Sequence, residues 1–195
     1  MKAQHFTDIA DPELVAMLKK GAVGIIPTDT VYGLVAPALH QPSIERLYSL
    51  KQRQRQPGTT IAATVSHLEQ VGFLREELEN AEKYLPNAIS VEMTTTRIPE
   101  YLKKSEQKMA ARIPVPAELR DVLAEVGPLM TSSANTPSAP TSRTITEAVR
   151  YFGDEVDFYV DAGDLGERPP STIIGFDDDG AVKVYRQGAV DISNA

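Results

Sequence analysis

The sequence predicts an α/β fold: a single domain with a twisted, open, mixed β-sheet and flanking helices. Three observations predict it. Helical and strand signals alternate along the chain without a repeat or low-complexity tract, the pattern expected when strands are joined by crossovers. The stretch STIIGFDDDGAVKVYR carries two alternating runs about an Asp-Gly turn and reads as an antiparallel hairpin, which makes the sheet mixed. A length of 195 residues supports one substantial core, so we expect one domain over 1–195 with its core between about 10 and 190.

Asp11-Pro12-Glu13 supplies an N-cap, a proline in the first turn and an acid near the positive helix end, with Leu14, Val15 and Leu18 on one face before Gly21. Ala22 to Pro27 reads as a buried strand, and Val31 to Leu34 resumes packing behind it. SIERLYSLK, from Ser43, suits a helix ending near Lys51, and Thr60 to Val65 a strand. EELENAEKYL is helical and AISVEM is a strand. Thr94 to Gln107 is polar and reads as an exposed, mobile connection before a strand at Lys108 to Ile113. AELRDVLAEVG is a helix, GPLMTS a strand, ITEAVRYFG a helix and VDFYVD a strand, ahead of the terminal hairpin.

Composition removes several functional classes. There is no cysteine, which excludes disulfides, thiolate catalysis and cysteine-ligated zinc. His5, His40 and His67 are far apart and form no metal-spacing pair. A net charge of −7 opposes a protein whose main affinity is for a nucleic-acid backbone, although a local basic groove is compatible with it. No apolar run approaches the ~20 residues that span a bilayer, and MKAQHFTDIADPEL lacks a signal-peptide core; the expected location is cytoplasmic. No P-loop, G-x-G-x-x-G, G-x-S-x-G or Ser-His-Asp arrangement is readable.

Four stretches carry candidate chemistry. In KQRQR, Lys51, Arg53 and Arg55 alternate and either converge on one phosphate group or form a solvated basic patch at a helix end. TSSAN, Thr131 to Asn135, with Ser138, Thr141 and Ser142 beyond it, either presents hydroxyls and an amide to a ligand or simply forms turns. Ser171 opens one strand and Arg186 ends another. In IIPTDTVYGLV, Thr28, Asp29 and Thr30 interrupt a core strand; Asp29 either caps a turn or faces a cation.

Taken together, PTDTVYGL at 27–34, K-x-R at 51–53, A-R-I-P around Arg112, S-A-N at 133–135, P-S-T at 170–172 and Y-R-Q-G at 185–188 resemble, in order and spacing, the YrdC-type threonylcarbamoyl-AMP synthases in their short, single-domain form. The resemblance implies a nucleotidyltransferase that makes threonylcarbamoyl-AMP from L-threonine, bicarbonate and ATP, releases pyrophosphate, and supplies the group placed on adenosine 37 of tRNA. It implies Thr30, Arg112, Thr131 and Ser171 as threonine contacts, and Arg53, Ser133, Asn135, Thr141 and Arg186 as ATP contacts. Lys51 and Arg53 would be the catalytic cations, with Mg²⁺ carried by ATP and no organic cofactor. On that reading an alanine at either cation abolishes turnover with little loss of folding. Expected partners are tRNA, bound weakly, and the tRNA threonylcarbamoyl transferase complex. The resemblance assigns no contact between Gln54 and Ala63, where this chain departs from its relatives. The alternative class is a non-catalytic RNA-binding module or a divergent paralogue on the same fold.

Overall fold

The computed structural model describes residues 2–52, 58–103, 106–177 and 179–194. Gln4–Phe6 (β1) precedes Pro12–Lys19 (α1), which Asp11 caps by accepting a 2.8 Å bond from the Glu13 amide. Gly24–Pro27 (β2) and Tyr32–Pro37 (β3) form a hairpin around Thr28 to Val31. Gln41–Leu50 (α2), Thr59–Ile61 (β4), Val65–Val71 (α3), Arg75–Ala81 (α4) and Ile89–Thr94 (β5) follow. Glu100–Lys103 (α5), Lys108–Arg112 (β6), Ala117–Val126 (α6) and Leu129–Ser133 (β7) come next. Ile145–Phe152 (α7), Phe158–Val160 (β8), Thr172–Phe176 (β9) and Val182–Arg186 (β10) complete the order.

The predicted α/β class and mixed sheet hold, and the departures have local causes. The strand expected over Thr60 to Val65 stops at Ile61, because Thr64 accepts from the His67 amide and starts α3 instead. The helix expected over EELENAEKYL tightens into a 3₁₀ turn at Glu82–Tyr84. The connection expected to be exposed is anchored in its described part. Ile98 and Leu102 are buried there, and Tyr48 donates to the Leu102 carbonyl at 2.5 Å.

Among the described residues, all ten strands join one sheet in the order β1-β8-β2-β3-β7-β4-β6-β5-β9-β10, with parallel and antiparallel pairs interspersed. Its two faces are covered unequally, and this asymmetry creates the site. One face packs the apolar sides of α2, α3, α4, α5 and α7, through Ile44, Leu47, Leu68, Leu78, Leu102, Ala148 and Phe152, onto Leu34, Val91, Ala111 and Ile174. The other face is covered by α1 and α6, whose Leu14, Leu18, Leu119 and Leu123 pack on Ile26, Val35, Ile61 and Phe158. Residues of that second face farther along, Ala110 on β6 and Ile173 on β9, line an open cleft instead.

Candidate functional site

The cleft has a volume of about 560 Å³, within the range of small-molecule sites. Its first wall is the turn between β2 and β3. Thr28 Oγ1 donates to the Val31 carbonyl at 2.7 Å and accepts from the Thr30 amide at 3.2 Å. Two hydroxyls, Thr28 Oγ1 and Thr30 Oγ1, then stand 3.1 Å apart facing inward. The oxygen-bearing interruption of the strand is thus a self-bonded turn that exhibits a hydroxyl pair.

Arg112 ends β6 beside this turn. Its side chain and that of Asp29 are 4% and 5% exposed, and Nη2 lies 3.0 Å from Asp29 Oδ1. Nη1 donates to Thr30 Oγ1 at 3.4 Å, whereas Nε has no hydrogen-bond partner among the described residues. Burial lowers the pKa of Arg112, the Asp29 charge opposes that, and the nearby Arg186 charge adds to it. The guanidinium nevertheless stays charged, given the high intrinsic pKa of arginine. Of the two alternatives for Asp29 the second holds: it faces a cation, and that cation is the buried guanidinium of Arg112.

Ser171 forms the opposite wall. Its Oγ meets Ser90 Oγ at 2.9 Å, and its carbonyl accepts from Arg186 Nη2 at 2.8 Å and Nε at 3.2 Å. These bonds hold the guanidinium of Arg186 at the cleft. Between the walls lie Thr131 and Ser133 of β7 and Thr141 beyond it. Thr131 reaches the cleft across Gly33, since a Cβ there would sit 2.5 Å from Thr131 Oγ1. A methyl at position 33 must push that hydroxyl aside. A smaller annex of about 230 Å³ continues past Thr30 and Thr141 toward Arg143 and Arg168.

Of the residues singled out in the sequence, Thr30, Arg112, Thr131, Ser133, Thr141, Ser171 and Arg186 line the one cleft. Arg53 lies outside the described residues. Lys51 is not the solvated helix-end cation of the simpler reading: it is 2% exposed. Its ammonium donates to Ser133 O at 2.7 Å, Asn135 O at 2.5 Å and Asn135 Oδ1 at 2.8 Å. Asn135 is likewise turned inward, with Oδ1 also accepting from Ser133 Oγ at 2.7 Å and Nδ2 donating to Ala139 O at 2.6 Å. The pair forms the internal skeleton of the S-A-N loop, behind the groups that face the cleft. Sequence reasoning missed Glu92 and Lys108, which line the far end. Their signal was strand alternation: Glu92 and Lys108 fall on the same face as Ala110 and Arg112.

Comparisons with known proteins give the family and the fold. A family model described as "Telomere recombination", covering Sua5, YciO and YrdC, matches residues 16–188. The threonylcarbamoyl-AMP synthase of Marinobacter nauticus is 29% identical over 162 residues, 79% of this chain and 84% of the relative. Among solved structures, E. coli YciO superposes with a TM-score of 0.80 at 22% identity, covering 97% of this chain and 98% of the other. P. abyssi Sua5 complexed with L-threonine gives a TM-score of 0.84 at 20% identity; this chain, matched along its whole length, spans 59% of that longer one. Among the described residues, no helix is long and apolar enough to cross a membrane.

Proposed function

We propose a chemistry for this cleft from one premise: the chain belongs to the Sua5, YciO and YrdC family. It is a nucleotidyltransferase that condenses L-threonine, bicarbonate and ATP into threonylcarbamoyl-AMP with release of pyrophosphate. The product feeds tRNA adenosine-37 modification. The observation that carries this reading is the convergence, in one cleft, of a buried arginine beside a hydroxyl pair and a second arginine fastened to Ser171. The first set suits a hydroxy amino acid and the second a nucleotide phosphate.

Arg112 takes the threonine carboxylate in charge-assisted bonds, with the unfilled Nε among its donors. Thr30, Thr131 and Ser171 present hydroxyls to the remaining polar groups of the substrate. A wall of hydroxyls disfavours valine, whose methyl would leave them unpaired. The deprotonated threonine nitrogen attacks bicarbonate carbon, water leaves, and a carbamate forms. A carbamate oxygen then attacks the α-phosphorus as the bond from that phosphorus to the bridging oxygen breaks, and pyrophosphate departs. The substrate supplies its own nucleophile, so the protein's work is orientation and positive charge. ATP enters as its magnesium complex. Arg186 faces the phosphates, the family resemblance assigns Arg53 to them as well, Ser133 and Thr141 bond them, and Lys51 with Asn135 holds the loop that carries Ser133. A cytoplasmic setting, weak contact with tRNA and hand-over to the tRNA threonylcarbamoyl transferase complex belong to the same proposal.

The test is incubation of the purified protein with labelled threonine, bicarbonate and magnesium ATP. Threonylcarbamoyl-AMP and pyrophosphate are expected in equal amounts, and absence of both would remove the reading. Thr30→Ala is expected to weaken threonine binding about tenfold while ATP binding is retained, as suits one lost hydrogen bond in a buried site. Calorimetric titration with each substrate separates the two effects, and undiminished threonine affinity would return the turn to a purely structural role.

A further inference from the structure

Beyond Ile173 the cleft face of the sheet continues into a shelf that the reading above does not use. Gly175 follows Ile173 by two residues, and Glu92 extends the parallel register in which Ser90 faces Ile173 and Val91 faces Ile174. Both therefore share the cleft face. β10 is irregular at this place: Val184 pairs with Ile174 and Arg186 with Ile173, so Tyr185 is the extra residue of a bulge. Alternation is lost there, and Tyr185 lies against Gly175 on the side to which Arg186 points. A Cβ on Gly175 would stand 2.7 Å from Tyr185 Cε2, so only glycine lets the ring lie so close. The ring is 41% exposed, and Lys183 Nζ stands 5.5 Å from its centroid. Across the shelf, Glu92 is partly buried; burial raises its pKa while the neighbouring Lys108 lowers it.

We infer that this shelf is the nucleoside end of the site: Tyr185 is the stacking platform for the ATP base, and Glu92 accepts from the nucleoside's donors. The inference rests on the adenylate-forming reading above. A nucleotide holds its base one sugar away from the α-phosphate. Consecutive side chains on a bulge offer a cation, Arg186, and beside it an aromatic face, Tyr185. The Lys183 contact is a weak one at an exposed site, which a stacked base can displace. Stacking is tolerant of base identity, so the platform supplies affinity rather than choice between purines.

The experiment is calorimetric titration of the wild type, Tyr185→Ala and Tyr185→Phe with ATP, with tripolyphosphate as a probe of the phosphate subsite alone, and with L-threonine. Tyr185→Ala is expected to weaken ATP about tenfold, the order of one lost base–aromatic stack. Tripolyphosphate and threonine affinities stay at the wild-type value, and Tyr185→Phe binds ATP as the wild type does. An unchanged ATP affinity in Tyr185→Ala, or an equal loss for tripolyphosphate, overturns the platform. If the wild type forms no adenylate yet its ATP affinity depends on Tyr185 in this way, the function falls and the platform stands. If adenylate forms with a KM for ATP indifferent to Tyr185→Ala, the function stands and the platform falls.

Discussion

Arg112→Met is expected to lose threonine binding by at least about 100-fold and to lower stability by about 3–5 kcal/mol. The binding loss follows from two charge-assisted hydrogen bonds at about 1.5–3 kcal/mol each, with every 1.4 kcal/mol worth tenfold. The stability loss follows from Asp29, whose side chain is 5% exposed and would be left as an uncompensated buried charge. The double variant Arg112→Met with Asp29→Asn separates the effects. It removes the stranded carboxylate, so most of the stability returns, because a buried ion pair exchanged for neutral groups is often close to neutral overall. Threonine binding does not return. Denaturant titration and calorimetry read the two quantities, and an Arg112→Met protein that bound threonine normally would exclude the carboxylate role.

The second large effect belongs to Lys51. The resemblance implies that an alanine there abolishes turnover with little loss of folding; the buried position reverses the second half. Lys51→Met removes the donor to Ser133 O, Asn135 O and Asn135 Oδ1, all contacts of a side chain that is itself buried. Each buried group left unsatisfied costs about 1–3 kcal/mol. We expect about 3 kcal/mol overall, or roughly 6–12 °C in Tm for a chain of this size. ATP affinity should fall with it as the S-A-N loop relaxes. Threonine affinity should fall less, since Thr30, Arg112 and Ser171 lie on other elements. Equal loss for both ligands would mean general unfolding; a stable variant with normal ATP binding would free Lys51 from any part in positioning the loop.

Much of the site was legible because its residues sit at strand ends, where the apolar pattern breaks. Thr30, Ser133 and Ser171 were found in that way, and the six motifs supplied their order. What stayed hidden is what depends on register between distant strands. Asp29 meets Arg112 only because the turn after β2 reaches the Arg112 side chain of β6, although β3, β7 and β4 lie between the two strands. Lys51 is buried only because the loop after β7 folds over the end of α2. Glu92 was hidden for a third reason: alternation in AISVEM puts it on the polar face, but only the pairing with β6 and β9 makes that face the lining of a cleft. β1, three residues long, carries too short a pattern to be seen.

The bulge in β10 has a consequence for how the sheet ends. β5 carries Ile89, Val91 and Met93, all buried, and a strand of that kind is an adhesive template when its backbone is left unpaired. β9 pairs with it, and β10 then stands as the terminal strand. Its backbone ladder is interrupted between Val184 and Arg186, and Lys183 and Arg186 place charge along it. An irregular, cationic margin is a poor surface for another chain to extend. The kink that sets Tyr185 and Arg186 on one side of the strand therefore also discourages edge-to-edge aggregation, and helps keep the chain apart from its copies.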